Sequence, residues 1–74
     1  MPELLHSTVQ SSNLATVAYD EESRQLEIRF HSGSVYRYFG VPARVFRGLM
    51  HASSHGQFFH RNIKCAGYRY RKMR

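Results

Sequence analysis

The chain of 74 residues contains one cysteine, Cys65, and no long apolar run. A single cysteine excludes an internal disulfide, which favours a reducing compartment, so we predict a cytoplasmic location. No stretch approaches the roughly 20 apolar residues that a membrane helix requires, so no membrane partner is predicted. The N-terminus lacks a basic region followed by an apolar block, which predicts that no secretory signal is present.

Acidic residues are scarce and are concentrated in the first third of the sequence. Residues 1–23 hold four acidic side chains and no Lys or Arg, whereas residues 24–74 hold all 11 Lys and Arg and a single acidic residue, Glu27. The two segments therefore carry −4 and +10, and the net charge is +6. A segment this basic attracts polyanions at low salt, although a charged surface also serves solubility alone.

Three stretches have the pattern of antiparallel strands. Residues 13–20 and 25–31 alternate between two faces, and residues 35–39 are rich in Val, Tyr and Phe, which suit a half-buried pleated surface. Pro42 follows the third stretch, and proline cannot donate to a strand ladder but fits the first position of a helix. The sequence therefore predicts three strands and then a helix.

The loop before the third strand leaves two registers open. If residues 31–33 form a three-residue loop with the glycine in the left-handed region, Tyr36 and Tyr38 share the apolar face of the preceding strand. If the loop is only residues 32–33, the two tyrosines join the charged side chains on the opposite face, because a slip of one residue inverts every side chain. Glycine at the third loop position favours the first register.

Apolar residues recur at helical spacing over residues 42–52, which predicts a helix. Gly48 is expected to allow this helix to approach the sheet closely. Ser54 with Gln57 fits a capping box, which predicts a second short helix over about residues 56–62. The predicted fold is α+β, a three-stranded antiparallel meander followed by one or two short helices packed on one face. The predicted core consists of Val17, Leu26, Ile28, Phe30, Val45, Phe46, Leu49, Phe59 and Ile63.

The predicted organisation is a single domain over residues 13–70. Residues 1–12 are predicted to be a flexible lead-in, and residues 71–74 a basic C-terminal tail. Residues 68–74 alternate aromatic and basic side chains, so this run could instead add an edge strand to the sheet.

An ordered set of short motifs resembles the KTSC domain. These are Ser-Gly-Ser-Val, Tyr-Arg-Tyr and Phe-Gly-Val-Pro within residues 32–42, and Ser-Ser-His-Gly-Gln-Phe-Phe at residues 53–59. The KTSC domain is a small domain found at the C-terminus of some lysyl-tRNA synthetases and as a stand-alone bacterial protein. The resemblance implies no established activity and no catalytic residues. It suggests RNA binding only through the fusion to a tRNA-charging enzyme.

Basic residues interleaved with tyrosines are candidates for contacts with nucleic acid. Tyrosine rings stack on unpaired bases, and Arg and Lys contact phosphates. The structural alternative is that the rings pack between strand and helix, and that the basic C-terminal run is a solvated tail. The predicted nucleic-acid-binding residues are Tyr36, Arg37, Tyr38, Arg44, Arg47, Arg61, Lys64, Tyr68, Arg69, Tyr70, Arg71 and Lys72.

Histidines raise two further possibilities. His51 and His55, four residues apart, could share a helix face and bind zinc, but the predicted helix breaks between them, so no metal or cofactor is predicted. A small basic ribonuclease could use His51, His55 or His60 as acid or base, with Arg61 or Lys64 stabilising phosphate charge. No spacing requires this chemistry, so the chain is predicted not to be an enzyme.

We therefore expect a non-catalytic nucleic-acid-binding module, with tRNA-like or single-stranded RNA favoured over duplex DNA. The alternative class is a protein-interaction or oligomerisation domain that uses a sheet edge or an outward aromatic face. A monomer is favoured.

Overall fold

The three predicted strands form the centre of a five-stranded antiparallel sheet in the computed structural model, which describes residues 4–74. The strands lie side by side in chain order. This arrangement confirms the α+β class, with two more strands than predicted. In chain order the elements are β1 (Ser7–Thr8), β2 (Leu14–Asp20), β3 (Gln25–Phe30), β4 (Val35–Phe39), α1 (Ala43–His51), α2 (His55–Asn62), a 3₁₀ turn (Lys64–Ala66) and β5 (Arg69–Lys72).

The hairpin between β3 and β4 has the first of the two registers. The Phe30 N–H donates to the Ser34 carbonyl and the Gly33 N–H to the Phe30 carbonyl, each at 2.9 Å. Gly33 has φ +95°, a conformation that glycine adopts without the steric cost that other residues meet. As a result Tyr36 lies opposite Ile28 across the two strands, and Tyr38 lies opposite Leu26.

Both terminal segments belong to the sheet, which corrects two predictions. In the predicted flexible lead-in, Ser7 and Thr8 pair with β2, and Val9 is buried. In the predicted basic tail, Arg71 and Lys72 belong to β5, which pairs with β4. These strands complete backbone hydrogen bonds that the edges of β2 and β4 would otherwise leave to water. The first three residues of the predicted lead-in lie outside the described residues.

Both helices pack on one face of the sheet, which we call the inner face. Seven of the nine predicted core residues are buried, and Phe30 and Phe46 are half-buried and pack against them. A β-bulge between Leu14 and Thr16 shifts the register, so that Leu14 as well as Val17 joins the core. The core residues that sequence analysis missed are Val9, Leu14, Ala18, Val35, Tyr38 and Val41.

The helices begin and end close to the predicted positions. Pro42 precedes α1 as its N-cap residue rather than occupying its first turn, and the Ser54 hydroxyl accepts from the Gln57 N–H at 3.3 Å. A Cβ on Gly48 would lie 2.6 Å from the Phe58 ring, so the close approach is to α2 and not, as predicted, to the sheet. Within residues 4–74, neither helix is long and apolar enough to cross a membrane.

Candidate functional site

A groove of about 550 Å³ opens on the inner face, between the β4–β5 side of the sheet and α2 with its following 3₁₀ turn. One wall is aromatic and the other is polar or basic, and none of the lining residues is acidic. The lining residues are Asn13, Phe30, Ser32, Ser34, Tyr36, Tyr38, Gly56, Phe59, His60, Lys64 and Tyr70. The groove therefore combines flat apolar surface with positive charge.

Strand pairing places three tyrosines side by side on the aromatic wall. Tyr38 lies opposite Tyr70 across β4 and β5, and their ring centroids are 5.6 Å apart. Tyr36 is the next residue on the same face, with its ring centroid 5.9 Å from that of Tyr70. Edge-to-face contacts with Phe30 and Phe59 join this row to the core. The rings are thus held by packing on one side and face the groove on the other.

Burial distinguishes the three tyrosines. Tyr38 is 5% exposed, Tyr36 is half-buried, and Tyr70 on the edge strand is 62% exposed. Burial raises the pKa of the Tyr38 phenol to about 12, with smaller contributions from Tyr36 and Tyr70. Tyr38 is therefore a neutral hydroxyl at physiological pH, able to donate and accept hydrogen bonds. Tyr70 offers the ring most available for stacking.

The polar wall of the groove comes from α2 and the turn that follows it. His60 and Lys64 line the groove four residues apart, and both are exposed. The His60 Nε2 lies 3.7 Å from the Cys65 Sγ. At the far side, Asn13 and the hairpin residues Ser32 and Ser34 add neutral polar groups. A ligand with a flat ring and a negative group would match this arrangement in shape and charge.

Three of the predicted arginine contacts lie away from the groove. Because side chains alternate along a strand, Arg69 and Arg71 share the opposite face of the sheet, the outer face, with Arg37. Arg37 donates from Nε to the Glu27 carboxylate at 2.8 Å and also from Nη2. Arg37 thus points away from Tyr36 and Tyr38, as the first register predicts, and its contact with phosphate stays a prediction.

The remaining predicted contacts are dispersed as well. Arg44 and Arg47 are exposed on α1, and Arg61 borders a smaller hollow between the helices. Tyr68 is half-buried and packs against the core. Lys72 lies opposite Tyr36, so it shares the inner face of the sheet with the groove. Of the twelve predicted residues, the structure brings together only Tyr36, Tyr38, Lys64 and Tyr70 as groove lining.

The histidines of the zinc and ribonuclease alternatives do not form one cluster. The His55 Nδ1 donates to the Leu49 carbonyl at 2.7 Å, His51 is exposed at the end of α1, and His60 lines the groove. Within residues 4–74, no group of three or more His, Cys, Asp or Glu side chains is arranged to hold a metal ion. Only His60 of these three histidines lies beside Lys64 in the groove.

Sequence reasoning missed part of the groove for two reasons. Phe30 and Phe59 were predicted only as core residues, yet each also lines the groove. Asn13, Ser32 and Ser34 were assigned only to strand ends and the turn, and no local pattern indicates that α2 lies opposite them. The proximity of the Ser-Gly-Ser turn to the two tyrosines was the one available signal.

Residues 10–70 match the family model of the KTSC domain. The chain is 44% identical over 62 residues to an uncharacterized protein of Stutzerimonas stutzeri, covering 84% of this chain and 87% of that protein. It is 42% identical over 55 residues to a lysine–tRNA ligase of Trichormus variabilis, covering 74% of this chain but only 10% of the ligase. The crystal structure of a KTSC domain protein from Yersinia pestis superimposes with a TM-score of 0.91 at 36% identity, over 97% of this chain and 100% of that one.

Proposed function

The chain belongs to the KTSC domain family, and we propose that it is a non-catalytic RNA-binding module whose groove receives an unpaired base. The observation that carries the proposal is the row formed by Tyr36, Tyr38 and Tyr70 opposite His60 and Lys64. Aromatic rings next to cationic groups are the usual means by which proteins hold single-stranded nucleic acid. The likeness to part of a lysine–tRNA ligase makes a tRNA-like or single-stranded RNA the favoured ligand.

The contacts divide into a stacking part and an ionic part. Tyr70 is 62% exposed and can accept a base on its open ring face, while Tyr38 offers a neutral hydroxyl. A stacked base contributes about 1–3 kcal/mol. Lys64 in the groove and Lys72 beside it supply positive charge for the adjoining phosphates. No acidic residue lines the groove to repel them.

The same proposal includes a cytoplasmic location, where the protein would meet tRNA. Cys65 is an exposed free thiol. A reducing compartment suits such a thiol. It also includes an RNA preference over duplex DNA, because paired bases leave no ring face free for Tyr70.

Fluorescence titration of a labelled tRNA and of a short oligouridylate, each at about 50 and 200 mM salt, tests the proposal. We expect Tyr70→Ala to weaken binding about 5- to 150-fold, the equivalent of one lost stacking contact. The matched control is Tyr70→Phe, which keeps the ring and should retain most of the affinity. Lys64→Gln should weaken binding more at low salt than at high salt, because it removes a phosphate contact.

Two other results would replace the proposal. No binding of either RNA by the wild type at low salt would end it, and a protein partner or a dimer on gel filtration would then favour the protein-interaction class. Cleavage of the RNA that His60→Ala abolishes would identify a ribonuclease, since His60 and Lys64 lie together in the groove.

A further inference from the structure

Four arginines from three neighbouring strands share the outer face. The register places Arg29 of β3 and Arg37 of β4 on this face, together with Arg69 and Arg71 of β5. The helices cover only the inner face, where the core residues Val45, Leu49 and Phe59 pack against the sheet. The outer face is therefore a basic surface separate from the groove.

Charge pairing leaves three of these arginines without an acidic partner. Among residues 4–74, the contacts within 4.0 Å between basic and acidic side chains all involve Glu27, which pairs with Arg37 and is hydrogen-bonded to the His6 ring. Arg29, Arg69 and Arg71 are exposed, and no carboxylate of the described residues lies within 4.0 Å of their guanidinium groups. Arg71 lies directly opposite Arg37 across the strands, and the Glu27 carboxylate in the same row bonds to Arg37 and not to Arg71.

The edge strand β5 joins this surface to the groove. Its residues alternate, so that Arg69 and Arg71 lie on the outer face while Tyr70 and Lys72 lie on the inner face. Within the described residues, β5 pairs only with β4, and its other edge is open. A flexible polymer that passes over this edge meets positive charge on both faces and the exposed Tyr70 ring on the inner face.

We propose that the outer face, through Arg29, Arg69 and Arg71, is a second contact surface that binds the phosphate backbone of the same RNA strand whose base occupies the groove. This inference rests on the proposed RNA-binding function. Arginine suits this role because its planar guanidinium group forms paired hydrogen bonds with phosphate oxygens. A single-stranded polynucleotide is the occupant that uses both the arginines and Tyr70, whereas an acidic peptide would use only the charges.

The test compares the salt dependence of binding in two variants with equal change in charge. Arg71→Gln alters the outer face, and Arg24→Gln alters an exposed position in the β2–β3 turn. The probe is a labelled oligouridylate of about 12 nucleotides, within the site sizes of single-strand binders. Each phosphate contact contributes about 0.7 to the slope of log affinity against log salt for single strands.

We expect the outer-face variant to reduce the magnitude of this slope by about 0.7, so that the affinity lost between 50 and 200 mM salt becomes about 2.6-fold smaller. The Arg24 variant should leave the slope close to that of the wild type. Equal reductions in the two variants would overturn the proposal, because the RNA would then respond to net charge alone. An unchanged slope in the outer-face variant would overturn it as well.

Two comparisons separate this inference from the proposed function. If Tyr70→Ala weakens binding while the outer-face variant behaves as the wild type, the groove is retained and the second surface is rejected. If polyglutamate competes as well as oligouridylate at equal charge, the outer face binds acidic polymers in general and the commitment to RNA is wrong. Failure of the wild type to bind RNA at low salt rejects both proposals together.

Discussion

Replacing Glu27 by glutamine removes the carboxylate that, among residues 4–74, pairs with an arginine of the outer face. Glu27 accepts hydrogen bonds from His6 Nε2 at 2.8 Å and from Arg37 Nε at 2.8 Å, with a further bond from Arg37 Nη2. The Thr16 hydroxyl lies 2.9 Å from the other ring nitrogen of His6, which fixes the imidazole beside β2. The carboxylate therefore holds β1, through His6, to the centre of the sheet.

The magnitude follows from how far this cluster is removed from water. The Glu27 side chain is 13% exposed, and those of His6 and Arg37 are each 22% exposed. Exposed ion pairs contribute about 0–1 kcal/mol, whereas removing one partner of a fully buried pair costs about 3–5 kcal/mol. We therefore expect Glu27→Gln to lower the free energy of unfolding by about 2 kcal/mol at pH 7. For a domain of this size that corresponds to a fall of about 8–16 °C in Tm.

The dependence on pH separates the lost charge from other effects of the substitution. Burial alone would raise the pKa of the Glu27 carboxyl, but the hydrogen bonds from His6 and Arg37 outweigh burial and hold the pKa below its ordinary value of 4.5. A lowered pKa in the folded state means stability that is present above pH 4.5 and is lost as the pH falls through the folded-state pKa. The gap between the variant and the wild type should thus close in acid.

The assay is urea unfolding followed by far-ultraviolet circular dichroism at pH 7 and in steps down to about pH 2.5. Urea is preferred to guanidinium chloride because it does not screen the ion pair. The matched control is Glu22→Gln, the same change at an exposed position in the β2–β3 turn, which should alter stability by less than about 0.5 kcal/mol. Equal stability of Glu27→Gln and the wild type at pH 7, or a gap that persists unchanged in acid, would refute the reasoning.

Two other predictions concern the packing of the helices and the groove. Gly48→Ala should lower the free energy of unfolding by about 1 kcal/mol, because the steric clash of a Cβ 2.6 Å from the Phe58 ring costs more than the gain in helix propensity returns. A higher urea midpoint for the variant than for the wild type would contradict this prediction. Ultraviolet titration of the folded protein should resolve one tyrosine with a pKa of about 12 that Tyr38→Phe removes. Since folding raises the pKa of Tyr38, the stability linked to its neutral phenol is present below pH 10 and is lost as the pH rises to 12. If every tyrosine of the folded protein titrates near pH 10, this prediction is wrong.

Local rules account for the elements that the sequence predicted well. The alternation in β3 and the glycine at position 33 fix the register of the hairpin, because each acts over a few neighbouring residues. The two helices follow from apolar spacing and from the serine cap at Ser54. Strand β1 escaped prediction because two polar residues carry no pattern, and its pairing depends on backbone groups of β2 that are distant in sequence.

The groove was predictable in its residue types but not in its assembly. Tyr36, Tyr38, Lys64 and Tyr70 were all identified as candidate contacts, and the structure places them around one cavity. Their meeting depends on α2 docking over the β4–β5 side of the sheet, with Phe59 in contact with the Tyr38 ring. No pattern within a single element specifies that placement. The packing and binding interpretations of Tyr36 and Tyr38 therefore looked like alternatives, although both rings pack with the core and also line the groove.

Charge along the sequence and charge on the surface differ for a definite reason. The run from Arg69 to Lys72 suggested one continuous basic surface, but a strand sends successive side chains to opposite faces. Arg69 and Arg71 therefore lie with Arg37 on the outer face, and Tyr70 lies with the groove. The same four residues in a mobile arm could all turn toward one ligand. In this fold they can act on a single polymer only if it crosses the edge of the sheet, and that requirement makes the salt-dependence experiment decisive for the outer face.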